Sequence, residues 1–419
     1  MTINRLMCAI SLVAIALGQK VTPVRLRPSR DFPLTPQQVG TLDGPSNRQQ
    51  LRAHGWHLLD LVMADADPRS NHYRPVWYTW CTKFEALEYG FPCTEKQRRL
   101  DAKGLRRDHG RPVPRGGSKL PNITEVISDV YLSPELVRYL NAPLAQLNPS
   151  SLTLASPSKA LPELLRANVH SIPDDFVGTE IAMKVAWYHV PCPTTDAPFV
   201  PVFDADKVEQ VLDGDQRIDR SKLRKLYLNP SSLRGGACNP GNAAVPKGET
   251  GHDRDQFFWF QSTQGVDVTT GNGNTEYIPP GDYYVATGFH IITRERKNWV
   301  WATYWLNDRS DARGAEGRAE IIRAGKQSLF AMNITLNSND PIFNPYLEGS
   351  LKGGAQSNCL HCHSRASVSL KENLPTCEIP HPGRSEKIPI APDGSLTTSF
   401  LWTLARFTPN GGCTVPSSP

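Results

Sequence analysis

Tyr283-Tyr284-Val285-Ala286-Thr287-Gly288-Phe289-His290-Ile291-Ile292-Thr293 is followed by Arg294-Glu295-Arg296-Lys297 and then by Asn298-Trp299-Val300-Trp301-Ala302-Thr303-Tyr304-Trp305-Leu306-Asn307. Branched and aromatic side chains pack well on a pleated surface, so both outer runs favour strands. The short polar run between them predicts an antiparallel hairpin. Side chains alternate across a strand. In the second run, Trp299, Trp301, Thr303 and Trp305 fall on one face, and Val300, Ala302 and Tyr304 on the other. In the first run, Ala286, Gly288, His290 and Ile292 share a face.

Outward from the hairpin the same pattern recurs. Ile181, Met183, Val185 and Trp187 alternate with Glu180, Ala182, Lys184 and Ala186, which predicts a half-buried strand. Phe257–Gln261 and Val76–Trp80 read as two more strands. The chain has 419 residues, 36 Pro and 31 Gly, and only 39% apolar residues, which favours many short strands over a helical bundle. Helices are predicted at the periphery. One spans 47–64, opened by a capping-box pattern at Ser46–Gln49. One runs from Ser133-Pro134 to about Leu140, with Ser as cap and Pro at the first position. Two short ones are expected near 205–212 and 219–227, and a closing one over 397–407. Residues 19–45 read as an extended lead.

The N-terminus has a short charged start (Met1–Arg5), an apolar run over Leu6–Leu17 and small residues before Gln19. This is the form of a secretory signal over 1–18, too short to span a bilayer. No later stretch is apolar enough to be a membrane helix, so the expected location is periplasmic or secreted. Nine cysteines are present. Setting aside Cys8 in the signal and the pair Cys359/Cys362, six remain, which suggests three disulfides in an oxidising compartment. Nearest-neighbour pairing gives Cys81–Cys93, Cys192–Cys238 and Cys377–Cys413, with 193–237 an insertion tied at its base.

Cys359-Leu360-His361-Cys362-His363 is a C-x-x-C-H sequence, the pattern of covalent haem attachment. Two thiols add to the haem vinyl groups, and the following histidine supplies the proximal nitrogen to iron. A thioredoxin-like reading fits poorly, because the preceding Gly353–Asn358 is a loop. Zinc held by Cys359, Cys362, Cys377 and His381 remains an alternative, as does a purely structural cysteine pair in a disulfide-stapled binding module. The expected cofactor is one covalent haem c on Cys359, Cys362 and His363, with His361 exposed beside it and Arg365 placed to meet a propionate. No methionine follows Met332, so a downstream methionine ligand is excluded. For the opposite side of the iron the candidates are His290, His381, Met183, Met332 or an open position. His290 is preferred, because Gly288 on its face leaves room for a flat ring and Trp299 and Trp301 offer walls. The ordinary alternative is that the tryptophan stripe is core.

The expected architecture is therefore α+β. A β-rich, sandwich-like body carries peripheral helices, and a C-terminal loop and helix carry the haem. The expected divisions are 1–18 signal, 19–175 mixed helical region, 176–345 β-rich body and 346–419 haem attachment. The net charge of +5 does not point to nucleic acid. The basic run from Lys96 to Lys119 reads as a solvated loop or as a docking surface for an acidic redox partner.

The signal, Gly288–Ile291, Trp299-x-Trp301-Ala302-Thr303, the late Cys359–His363 motif and Phe400-Leu401-Trp402 together resemble a group of large, exported, single-haem bacterial c-type cytochromes, mostly uncharacterised. The resemblance covers roughly the second half of the chain. It implies haem c and a redox function, and supports His290 as a pocket residue; it implies no substrate. Two functions follow as expectations: an electron-transfer cytochrome, or a haem c-dependent oxidoreductase acting on a small molecule at an open or displaceable sixth position.

Overall fold

The computed structural model describes residues 24–26, 32–69, 73–82, 126–138, 178–261, 266–269, 275–322, 325–337, 341–349, 353–359, 363, 367–369 and 395–397. Strands, in chain order, are β1 (Cys81–Thr82), β2 (Val126–Leu132), β3 (Ile181–Val190), β4 (Phe199–Val202), β5 (Arg224–Leu228), β6 (Gly251–His252), β7 (Trp259–Gln261), β8 (Val266–Thr269), β9 (Thr275–Ile278), β10 (Tyr283–Thr293), β11 (Val300–Leu306), β12 (Phe330–Thr335), β13 (Ser367–Ser369) and β14 (Ser395–Thr397).

The main sheet has the order β1-β2-β3-β10-β11-β12, antiparallel throughout. The predicted hairpin lies at its centre: β10 pairs with β11 in register from Gly288↔Trp305 to Thr293↔Val300. The long β10 has room for two partners on one edge, with β7 against Tyr283–Val285 and β11 against Gly288–Thr293. Strands from both sides of residue 176 share this sheet, so the boundary expected there runs through one structural unit.

The two faces of the sheet are covered differently. On one, helix α2 (Arg48–Met63), which follows a shorter α1 (Pro36–Thr41), presents Gly55, Trp56, Leu58, Leu59, Val62 and Met63, all buried. That helical stripe meets Tyr304, Met332 and Ile334 of the sheet. Gly55 allows the close approach: a Cβ there would lie 2.9 Å from Met332 Cε. Trp77 completes this side, its ring 4.9 Å from Tyr131, 6.2 Å from Trp187 and 6.1 Å from Phe289. On the other face lie residues 341–349 and 353–359, His363 and, beside Trp305, the small sheet β4-β5-β6. The body is β-rich with peripheral helices, but its second layer is helix on one side and mostly irregular chain on the other.

Several local expectations are corrected. Val76–Thr79 is a 3₁₀ turn, not a strand; all four residues are buried, so their apolarity carries no period-two signal. Residues 224–228 form strand β5 rather than a helix, with Leu226 and Leu228 buried at strand spacing. Residues 36–41 are helix α1, with a true capping box at Thr35 and Gln38, rather than extended lead. The box expected at Ser46 is absent: α2 starts behind a 3₁₀ turn at Pro45–Asn47, without a side-chain cap. Strand β3 is buried on both faces, not half-buried. Within β10 a bulge at Thr287 shifts the pairing, so Ala286 opposes Trp187 while Gly288 opposes Ala186. Cross-strand partners share a face, so Ala286 sits with Trp187 on the helix side and Gly288 faces away.

Other expectations hold. Helix α2 fills 48–63, a turn and short helix occupy 205–211, and Phe257–Gln261 ends in strand β7. Ser133 caps a helix over 134–138, its Oγ accepting from Leu136 N at 3.2 Å. Cys192 and Cys238 are disulfide-bonded, Cα atoms 5.5 Å apart, tying the 193–237 segment at its base. Cys81 is also disulfide-bonded. Cys93, Cys377, Cys413, the signal, the basic run at 96–119 and residues 398–407 lie outside the described residues. No helix of the described residues is long and apolar enough to cross a membrane.

Candidate functional site

The segment bearing Cys359 is fastened to the open face of the sheet by polar side chains. Asn344, fully buried, is the central one. Its Nδ2 donates to Thr303 Oγ1 at 3.1 Å and to the Tyr304 carbonyl at 2.7 Å. Its Oδ1 accepts from Tyr346 N at 3.0 Å. Gly288 makes this possible, since a Cβ there would lie 2.6 Å from Asn344 Oδ1. The space over Gly288 is thus filled by an amide. This corrects the expectation that the glycine admits a flat ring.

His290 stands two register positions from Gly288, on the same face, opposite Thr303 and Lys184. Its Nε2 lies 2.9 Å and 3.1 Å from the two carboxylate oxygens of Glu348. Glu348 Oε2 also accepts from Asn344 N at 2.7 Å. Burial pushes the Glu348 pKa up, but the His290 and Lys184 charges and the hydrogen bonds from His290 and Asn344 N outweigh it. The carboxyl is held below its ordinary value. Glu348 and Asn344 were not legible as site residues; the nearest cue was Gly288, a glycine in mid-strand.

Beyond this turn the chain runs alongside itself. Ile342 N donates to the Ser357 carbonyl at 2.9 Å, and Ile342 bridges Asn358 in parallel. The Cys359 thiol donates to the Ile342 carbonyl at 3.5 Å. Cys359 and His363 both have helical backbone. The His363 ring meets Trp301, centroids 4.6 Å apart and nearly edge-on. Trp301 is buried and donates from Nε1 to the Asn298 carbonyl at 2.8 Å, which fixes its ring.

The structure thus brings Trp301 to His363 and sets His290 on the same face of the sheet. It does not extend this group to Trp299. That residue precedes β11 with a φ of 61°, which breaks the alternation. Its buried ring lies 5.1 Å from the Arg294 guanidinium at the hairpin turn. Met183 and Met332 lie on the helix-covered face, the latter against Gly55. Cys362, His361, Arg365 and His381 lie outside the described residues. Among the described residues no three His, Cys, Asp or Glu side chains form a metal-holding cluster.

The donor types suit a covalently held haem: the Cys359 thiol lies on chain fastened to the sheet at Ile342, and the His363 imidazole lies against the buried Trp301 ring. No family model matches this chain, and no curated protein and no solved structure is significantly similar to it.

Proposed function

We propose that the chain is an exported c-type cytochrome acting in electron transfer. One haem c would be held by thioethers to Cys359 and Cys362, with His363 as the proximal ligand. The observation carrying this reading is the C-x-x-C-H sequence, supported by the packing of the His363 ring against the buried Trp301. Bound haem supplies a one-electron ferric–ferrous couple. The protein's part is to hold its ligands still. Trp301 braces the His363 ring, and Asn344 and Glu348 anchor the segment that leads to it. A rigid ligand frame keeps the reorganisation on electron transfer small. Resemblance to the large exported single-haem cytochromes, a periplasmic or secreted location and an acidic redox partner at the 96–119 run belong to the same proposal.

A second reading, a haem c-dependent oxidoreductase, is favoured by one observation. His290 Nε2 is engaged by Glu348, so that nitrogen reaches iron only after leaving a carboxylate held in its charged form. A sixth position not taken by His290 is open to a small molecule.

The test is the visible spectrum of the exported protein, oxidised, reduced and reduced under carbon monoxide, with a pyridine haemochrome assay. A haem c spectrum indifferent to carbon monoxide supports the electron carrier, and His290→Ala should then open the site. Ready carbon monoxide binding moves the assignment to the oxidoreductase. Absence of covalent haem after native export overturns both.

A further inference from the structure

At the outer edge of β12 lies a cavity of about 870 Å³, within the range of roughly 300–1,000 Å³ typical of small-molecule sites. It is bounded by the first half of α2, the 205–212 turn, residues 313–321 and the chain at Pro341, Phe343, Ala355 and Gln356. Three aromatic rings, Phe203, Trp305 and Phe343, line it, with Phe203 within 6.2 Å of Trp305 and 5.8 Å of Phe343. Val208, Leu212 and Ile321 extend the apolar wall.

The cavity is charged at one side. Arg48, Arg52 and Arg313 line it together with Glu209, Glu316 and Glu320. Arg52 is mostly buried and reaches Glu316 Oε2 through one terminal nitrogen at 2.6 Å. Its Nε is buried without a hydrogen-bond partner. Burial lowers the Arg52 pKa; Glu316 opposes this, while Arg48 and Arg313 repel the guanidinium and lower it further. Glu316 is itself shared, since one of its carboxylate oxygens also accepts from Gly314 N at 2.8 Å. Three guanidiniums and three carboxylates thus line an aromatic cavity, and with Glu316 already shared the buried guanidinium of Arg52 retains an unused donor. A buried N–H left unmade costs free energy that an incoming acceptor would recover.

We propose that this cavity binds a small amphipathic carboxylate, its anionic head at Arg52 and Arg48 and its apolar body against Phe203, Trp305 and Phe343. The inference is independent of the haem assignment. Ala355 and Gln356, three to four residues before Cys359, form part of the same wall. Occupancy would therefore be felt by the segment that carries the C-x-x-C-H sequence.

The experiment is titration calorimetry of the full exported chain with octanoate, and with 1-octanol as the uncharged comparison. One octanoate per chain is expected, bound more tightly than the alcohol. Arg52→Gln should weaken octanoate by about tenfold or more, the scale of a charge-assisted hydrogen bond, and leave 1-octanol within about twofold. Arg48→Gln, on an exposed residue at the start of α2, repeats the test should Arg52→Gln fail to fold. Val208→Trp, which fills the cavity, should abolish binding of both. The proposal is overturned by no octanoate binding at millimolar concentration, by 1-octanol binding as tightly as octanoate, or by octanoate binding that survives Val208→Trp unchanged.

Discussion

The two faces of the main sheet are held by different physics. Under α2 the contacts are mostly apolar and redundant, with two buried polar ties, Tyr304 donating to the Gly55 carbonyl at 2.6 Å and His54 Nε2 3.0 Å from Glu295 Oε2. Trp77 alone touches Tyr78, Tyr131, Trp187, Phe258 and Phe289. On the other face one amide, Asn344, connects three pieces of backbone and side chain, and one carboxylate, Glu348, connects two more groups. Hydrophobic burial is non-directional and spreads its contribution over many neighbours. A buried polar network depends on each member being satisfied. The helix face should therefore fail globally, and the motif-bearing face locally.

The largest expected effect is on the helix face. Trp77→Ala removes a fully buried indole at the junction of α2, β2, β3 and β10 and should cost about 3–5 kcal/mol. Denaturant unfolding followed by fluorescence and by circular dichroism should shift together. A loss under about 1 kcal/mol would mean that the apolar face is not where global stability resides.

That difference also explains what the sequence made legible. Burial of many apolar residues at a regular period leaves a readable trace, and the β10–β11 hairpin, β3 and α2 all carry one. Val76–Thr79 is four residues long and buried throughout, too short a stretch for its apolarity to separate a 3₁₀ turn from a strand. The bulge at Thr287 leaves no compositional mark, so the face of Ala286 was misassigned. At the candidate site, Cys359, His363, Trp301 and His290 were visible because their residue types and spacing suggest chemistry. Asn344 and Glu348 were not, since an asparagine or glutamate in a Pro- and Gly-containing stretch looks like any solvated loop residue. Only tertiary structure shows that Asn344 is fully buried.

The middle prediction separates the faces directly. Asn344→Ala strips the hydrogen-bond partners from Thr303 Oγ1, the Tyr304 carbonyl and Tyr346 N. Leaving such buried groups unsatisfied should cost about 1–3 kcal/mol. Hydrogen exchange should accelerate at 341–349 and 353–359 while the amides of β3 and β10 keep their protection. Uniform acceleration across the sheet would erase the proposed difference between the faces. Gly288→Ala sharpens the result. Its Cβ would meet Asn344 Oδ1 at 2.6 Å, so the substitution should cost about 1–3 kcal/mol in the parent chain and less in Asn344→Ala, where the amide is gone. Equal costs in both backgrounds would mean that Gly288 serves something other than the amide.

The smallest effect tests whether the apolar face has a polar weak point. Lys326 reaches over the Phe258 ring at 5.6 Å and donates from Nζ to the Phe257 carbonyl at 2.6 Å. Burial lowers its pKa below the ordinary 10.5, and Asp255 only partly opposes this. The folded lysine therefore gives up its proton at a lower pH than the unfolded one. Well below both values the ammonium is present in each state, and the fold bears the full cost of burying it. As pH rises toward 10.5 the folded state sheds the charge first, the unfolded state binds more protons, and stability must increase. The rise should be shallow, because the side chain keeps partial access to water. Lys326→Met removes the titrating group, so subtracting its stability–pH curve from that of the parent isolates the contribution. A difference curve that falls toward high pH would show that the ammonium is stabilised where it lies, by the Phe257 carbonyl and the Phe258 ring, and joins Tyr304 and His54 as a polar tie of this face.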